Sequence, residues 1–150
     1  MKRRQIKFTS YTDVINDIEN LYAKGYTKLG KWSLGQMCQH LSFYLRGSLD
    51  GFGFKLPWII RKVFGRFLLR KQLANPVMKT SQPTIPASVY QENSEDAKAV
   101  SEAKELLSRL SLSNGPLHPS ALYDELTVDE WRELHLIHAA HHLSFLIPKD

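Results

Sequence analysis

Four stretches of this chain repeat apolar residues every three or four positions, and none alternates apolar with polar residues over the length of a strand. That pattern narrows the fold more than any other feature, because a helix buries a stripe of period 3.6 and a strand a face of period 2. The first helix is expected over about residues 12–24, with Val14, Ile18, Leu21 and Tyr22 as its stripe and Gly25 as its stop. The second starts at Ser33, which with Gln36 has the spacing of a capping box. It runs through Met37, His40, Leu41 and Tyr44 to about Ser48, and the glycines at 47, 51 and 53 end it. The third is expected near residues 94–112, with Ala97, Val100, Ala103, Leu106, Leu107 and Leu110 inward, and SNGPLHPS follows as a loop. Thr127 and Glu130 form a second capping box, Asp129 adds negative charge at the positive end of the helix dipole, and Pro148 closes the fourth helix. A chain of 150 residues is one domain by default and large enough to fold without a staple. The expectation is an all-α four-helix bundle over residues 1–150, with a long connection carrying an extra short helix between helices 2 and 3.

That extra helix is LPWIIRKVFGRFLLRKQL, residues 56–73, and the prolines at 76, 83 and 86 mark an extended, irregular stretch after it. Charge concentrates in the same region. Seven of the 20 basic residues lie between Gly51 and Gln91 with no acidic residue among them, whereas the other 13 are set against 15 acidic ones. The net charge of +5 thus belongs to one segment. It matches no recognised nucleic-acid motif, and no nucleic-acid partner is expected. The favoured reading has the apolar residues of this helix packed on the bundle, with arginine and lysine stems reaching to water. The competing reading lays the helix on an anionic membrane surface. No apolar run approaches the ~18 residues of a membrane span, and the start MKRRQIKFTSYTD lacks the apolar core of a signal peptide. Cys38 is the lone cysteine, and a cytoplasmic protein is expected.

Three of the six histidines fall within IHAAHHLSFL, residues 137–146. At about 100° per residue, His142 lies about 40° from His138 on the fourth helix, Trp131, Leu134 and Phe145 lie within about 40°, and His135 and His141 sit about 60° off. His40 falls between Met37 and Tyr44 on the buried stripe of the second helix. Two readings stand. A single inward histidine is usually a satisfied core residue, but three from two helices each need partners for two ring nitrogens, and a shared metal would serve all of them.

The segments WSLGQMCQHL at 32–41 and HPSALYDELTVDEWRELHLIHAAHHL at 118–143 resemble the DinB/YfiT-like superfamily, and within it one of the bacterial domain-of-unknown-function families. The resemblance covers most of the chain and is strongest in these two blocks. It implies a four-helix bundle with a divalent metal (zinc, nickel or iron) held by His40, His138 and His142, with His141 as the extra histidine many members carry beside the last ligand. Members often have an inward glutamine three residues past that ligand; here Phe145 stands in its place. Relatives include thiol-dependent transferases and isomerases. The resemblance therefore implies a small-molecule substrate, such as a low-molecular-weight thiol.

Three neutral ligands leave coordination positions open, as catalytic sites do. Such a site suits a thiol-dependent transferase, or a hydrolase using an activated water. The alternative is a non-catalytic metal- or ligand-binding bundle, a stress-related or interaction protein, and Phe145 favours it. No catalytic residue can be named. Glu133 falls on the opposite face as a solvated charge. His135 and His118 are reserve candidates, and Cys38 reads as a small core residue. On the back of the fourth helix, Leu136, Ala140, Leu143 and Ile147 lie about 140–180° from His138. That face should be covered by the 56–73 insertion or by a second subunit, and a homodimer is the slightly favoured cover.

Overall fold

The computed structural model describes residues 2–80, 84–92 and 95–150. In chain order the described elements are α1 (Tyr11–Lys24), β1 (Tyr26–Lys28), α2 (Leu34–Asp50), a π-helical segment (Ile60–Gly65) running into α3 (Arg66–Ala74), a 3₁₀ turn (Pro86–Ser88), α4 (Asp96–Leu112), α5 (Val128–Leu143) and β2 (Leu146–Pro148). The protein is mostly helical, with one small sheet. Among the described residues, no helix is long and apolar enough to cross a membrane.

Helix starts follow the local chemistry. Ser33 and Thr127 cap α2 and α5 through reciprocal boxes with Gln36 and Glu130, as the spacing predicts. A third box, Ser10 with Asp13, starts α1 slightly before the expected position, and Gly25 ends it at φ 75°. α4 begins at Asp96; Ser94, where the sequence places its start, lies outside the described residues, as does Pro83. Gly47 does not end α2. It sits within the helix, where a Cβ would overlap the Phe52 ring, and Gly51 caps the helix at φ 93°. Pro86 opens the 3₁₀ turn, so this part of the connection is ordered and not irregular.

α1, α2, α4 and α5 share the main core, built on Val14, Ile18, Leu21, Leu41, Leu107 and Leu143 among others. Leu136, Ala139 and Leu143 of α5 belong to it. The back of α5 is therefore covered by the chain's own helices, and neither the insertion nor a second subunit is needed there. α5 is apolar around most of its circumference because it packs on two sides. Its other side, with Trp131 and Leu134, meets Leu69 of α3 in a second cluster.

Two features depart from the helical expectation. α5 stops at Leu143, before Pro148, and β2 pairs antiparallel with β1 in the register Tyr26 to Pro148, Thr27 to Ile147 and Lys28 to Leu146. Three residues are too few to display a period of two, and Pro148 is tolerated at the end of a two-stranded ladder. The amino-terminal segment then clamps the end of α5. Arg4 makes a bidentate pair with Asp17, both contacts at 2.8 Å, and donates to the Leu143 carbonyl at 2.9 Å. The second departure is the insertion, whose apolar side chains lie largely on the outside. Its contact with the rest of the protein is narrow. Gly65 lies on the Leu122 carbonyl, where any Cβ would overlap backbone, and Asp124 in that loop takes ion pairs from Arg61 and Lys62.

Candidate metal centre

α2 and α5 bring His40, His138 and His142 together, with one ring nitrogen of each within 4.8 Å of the others. His138 Nε2 lies 3.0 Å from His40 Nε2 and 3.0 Å from His142 Nε2. The i, i+4 spacing of His138 and His142 stacks them on one face of α5, and the Ser33 cap sets the phase that turns His40 towards them.

The surroundings fix each ring. His40 Nδ1 donates to the Ser88 carbonyl at 2.8 Å, so its Nε2 presents a lone pair to the centre. Trp32 stacks on His142 with ring centroids 5.5 Å apart and planes at 10°. Tyr44 packs edge-on against His138 at 4.8 Å. Burial, and after it the neighbouring histidines, hold His138 well below the usual imidazole range and His142 down to about 2. Burial lowers His40 as well. All three are neutral near pH 7, the form that binds metal.

The donor set fits a divalent ion. His138 Nε2 faces two other Nε2 atoms and carries at most one proton, so one ring proton cannot satisfy both contacts. A cation among the lone pairs satisfies all three. Nitrogens sharing a tetrahedral ion at ~2.1 Å lie about 3.4 Å apart, close to the spacing already present.

The trio borders a cavity of about 730 Å³. Its wall is largely aromatic and apolar, including Trp32, Tyr44, Phe52, Tyr123 and Trp131, and Lys31 and Lys79 supply positive charge. Among the described residues no carboxylate lines it.

The other histidines do not join the trio. Arg3 donates to His141 Nδ1 at 3.0 Å and to the His141 carbonyl at 2.8 Å, which ties that ring to the amino-terminal segment. Burial and Arg3 hold His141 down to about 4. His135 is buried against Trp131 on the cavity wall, bonds the Tyr11 hydroxyl through Nδ1 at 3.0 Å, and leaves its Nε2 without a partner among the described residues. His118 does not border the main cavity. It is exposed, and its backbone ties α2 to α5 by accepting from Trp131 Nε1 and donating to the Ser48 carbonyl. Glu133 is exposed, as its helix phase predicts. Cys38 is a core residue whose thiol burial pushes up to about 12, which removes it from thiolate chemistry.

Phe145 borders the cavity beneath the Arg3 guanidinium, 4.3 Å from its ring centroid. The sequence reading missed Ser88, Arg3 and Trp32 as supports. Trp32 stands at the head of the α2 motif, whereas a distant backbone carbonyl such as that of Ser88 leaves no sequence signal.

The family described as Protein of unknown function (DUF1569) matches residues 1–149. Comparison with curated proteins returns no match, and comparison with solved structures returns none.

Proposed function

We infer that this chain, which belongs to the DUF1569 family, is a metal-dependent enzyme acting on a small molecule at His40, His138 and His142. The observation that carries the reading is the convergence of three neutral imidazole nitrogens, two gaps of 3.0 Å, on the wall of a large cavity. In architecture we read the helices as a four-helix bundle of DinB/YfiT-like type with an inserted helix. The resemblance in residues 32–41 and 118–143 supports this.

His40, His138 and His142 would hold a zinc, nickel or iron ion, which would supply Lewis acidity that favours ionisation of a thiol or of water. The chain's own residues do the rest. Ser88 and Trp32 hold two of the rings in place, and the aromatic wall excludes water from an apolar substrate body. Lys31 and Lys79 favour a substrate with an anionic group. Among the described residues no carboxylate lines the wall to take a proton, which favours a readily ionised substrate, a thiol above all, over one that needs a separate base. A thiol-dependent transferase is the reaction type proposed, in a cytoplasmic setting.

A wall with no carboxylate among the described residues, and Phe145 on that wall, also favour a second reading, a non-catalytic metal- or ligand-binding protein. Conjugation of low-molecular-weight thiols to electrophiles by the metal-loaded protein separates the two. Turnover that disappears in His138→Ala supports the enzyme; tight metal binding with no turnover across a thiol panel supports the binding protein.

A further inference from the structure

The inserted helix is the largest feature the metal centre does not explain. Trp58, Ile59, Val63, Phe64 and Phe67 are between 53% and 65% exposed, and Ile60 and Leu68 are exposed too. Ile60, Val63 and Phe64 of the π-helical segment continue into Phe67 of α3 as one exposed apolar face. Only Gly65 and Leu69 of the π-helical segment and α3 are buried, so that face points away from the protein. Scattered apolar residues on a surface are ordinary, whereas a continuous group of this size marks an interaction site.

The helix is held in a fixed pose. Gly65 rests on the Leu122 carbonyl, Leu69 packs with Trp131 and Leu134, Asp124 pairs with Arg61 and Lys62, and Glu130 pairs with Arg66. Arg70 and Lys71 flank the apolar face, are exposed, and form no ion pair among the described residues. From Gly51 to Gln91 the sequence carries seven basic residues and no acidic one.

We propose that this face docks on the surface of an anionic lipid bilayer, with the apolar side chains in the interface and the basic ones at the headgroups. Charge selects this occupant. A second copy docked isologously through the same face would bring the unpaired Arg70 and Lys71 of both copies together, whereas an anionic leaflet attracts them. The helix lies on the membrane and does not span it. Phe54 and Leu56, which lead into the helix, also line the cavity, so the cavity wall is continuous with the docked segment. The docking stands independently of the metal.

The test is flotation of the full chain with vesicles of phosphatidylcholine containing phosphatidylglycerol, against phosphatidylcholine alone. The protein is expected to float with the anionic vesicles, with much less on neutral ones and less in high salt. Each basic residue near the surface contributes about fivefold in partitioning, so Arg70→Gln with Lys71→Gln together lowers it roughly 25-fold. Phe67→Glu lowers it on the order of tenfold or more. Both variants change exposed residues, and an unchanged melting curve shows that they remain folded. Absence of flotation with anionic vesicles overturns the proposal, as does binding indifferent to lipid charge or to these substitutions. A dimer in light scattering that Phe67→Glu dissociates, without vesicle binding, also overturns it and assigns the face to a second copy.

Discussion

The Nδ1 of His40 donates to the Ser88 carbonyl, and that bond of 2.8 Å joins the three-histidine cluster to the connection between α2 and α4. The carbonyl belongs to a 3₁₀ turn that Pro86 opens with its fixed φ. Pro86→Gly releases the turn without touching a ligand. Partners of this kind are worth roughly 10–100-fold in metal affinity. Zinc titration of Pro86→Gly is expected to show a loss at the lower end of that range, with the fold intact by circular dichroism.

His141 and His142 are neighbours in sequence with separate tasks. His142→Ala is expected to weaken metal binding by more than about 100-fold, beyond the loss from removing an outer partner. His141→Ala is expected to cost less than about tenfold, since its ring is held by Arg3 outside the trio. Calorimetric titration of both variants gives the comparison, and the reverse order would place the ligand on His141.

Leu143 is fully buried in the main core. Leu143→Glu therefore puts a charge among apolar side chains and is expected to cost about 3–5 kcal/mol of stability. The change appears as a lower denaturant midpoint in a protein of unaltered subunit number. A stable variant that differs only in its oligomeric state would contradict the intramolecular burial of this face.

Gly65→Ala tests how the insertion is seated, because a Cβ at 65 would overlap the Leu122 carbonyl. Overpacking of this kind costs about 1–3 kcal/mol. The melting temperature is expected to fall, with more protease cleavage near Trp58 and Phe67.

His135 contributes to acid sensitivity beside the other buried histidines. Burial lowers it from 6.5 to about 3 in the folded protein. The unfolded chain binds the proton first, so the stabilisation is complete above about pH 6.5 and is lost as pH falls towards 3. Within that window one such histidine steepens the decline by up to ~1.4 kcal/mol per pH unit. His135→Gln is expected to flatten the denaturation midpoint against pH between those limits, and an unchanged slope would show that His135 does not set it.

Particular residues show where sequence reading succeeds. Ser33 with Gln36 and Thr127 with Glu130 locate two helix starts because a capping box is local chemistry, complete within four residues. The same starts set the phases that bring His40 to His138 and His142. What remained hidden depends on distant pairings. β1 and β2 are three residues each and become a sheet only when Tyr26 meets Pro148. On α5, apolar residues on two sides left the core direction ambiguous. The face of Leu136 and Leu143 looked unpartnered, although α1, α2 and α4 share its core. Trp58 and Phe67 read as packing residues because their helical rhythm is that of a buried stripe, and only the three-dimensional placement shows that stripe turned outward.

One divalent ion held by His40, His138 and His142 is the premise of the proposed chemistry. Its most direct test is elemental analysis of the full chain purified without chelator and then equilibrated with zinc, beside His40→Ala treated in the same way. The expected result is one tightly held ion per chain in the parent protein and none in the variant, with both folded. A folded parent protein that holds no ion after equilibration, or a His40→Ala variant that holds it equally well, would show that these histidines form no metal site.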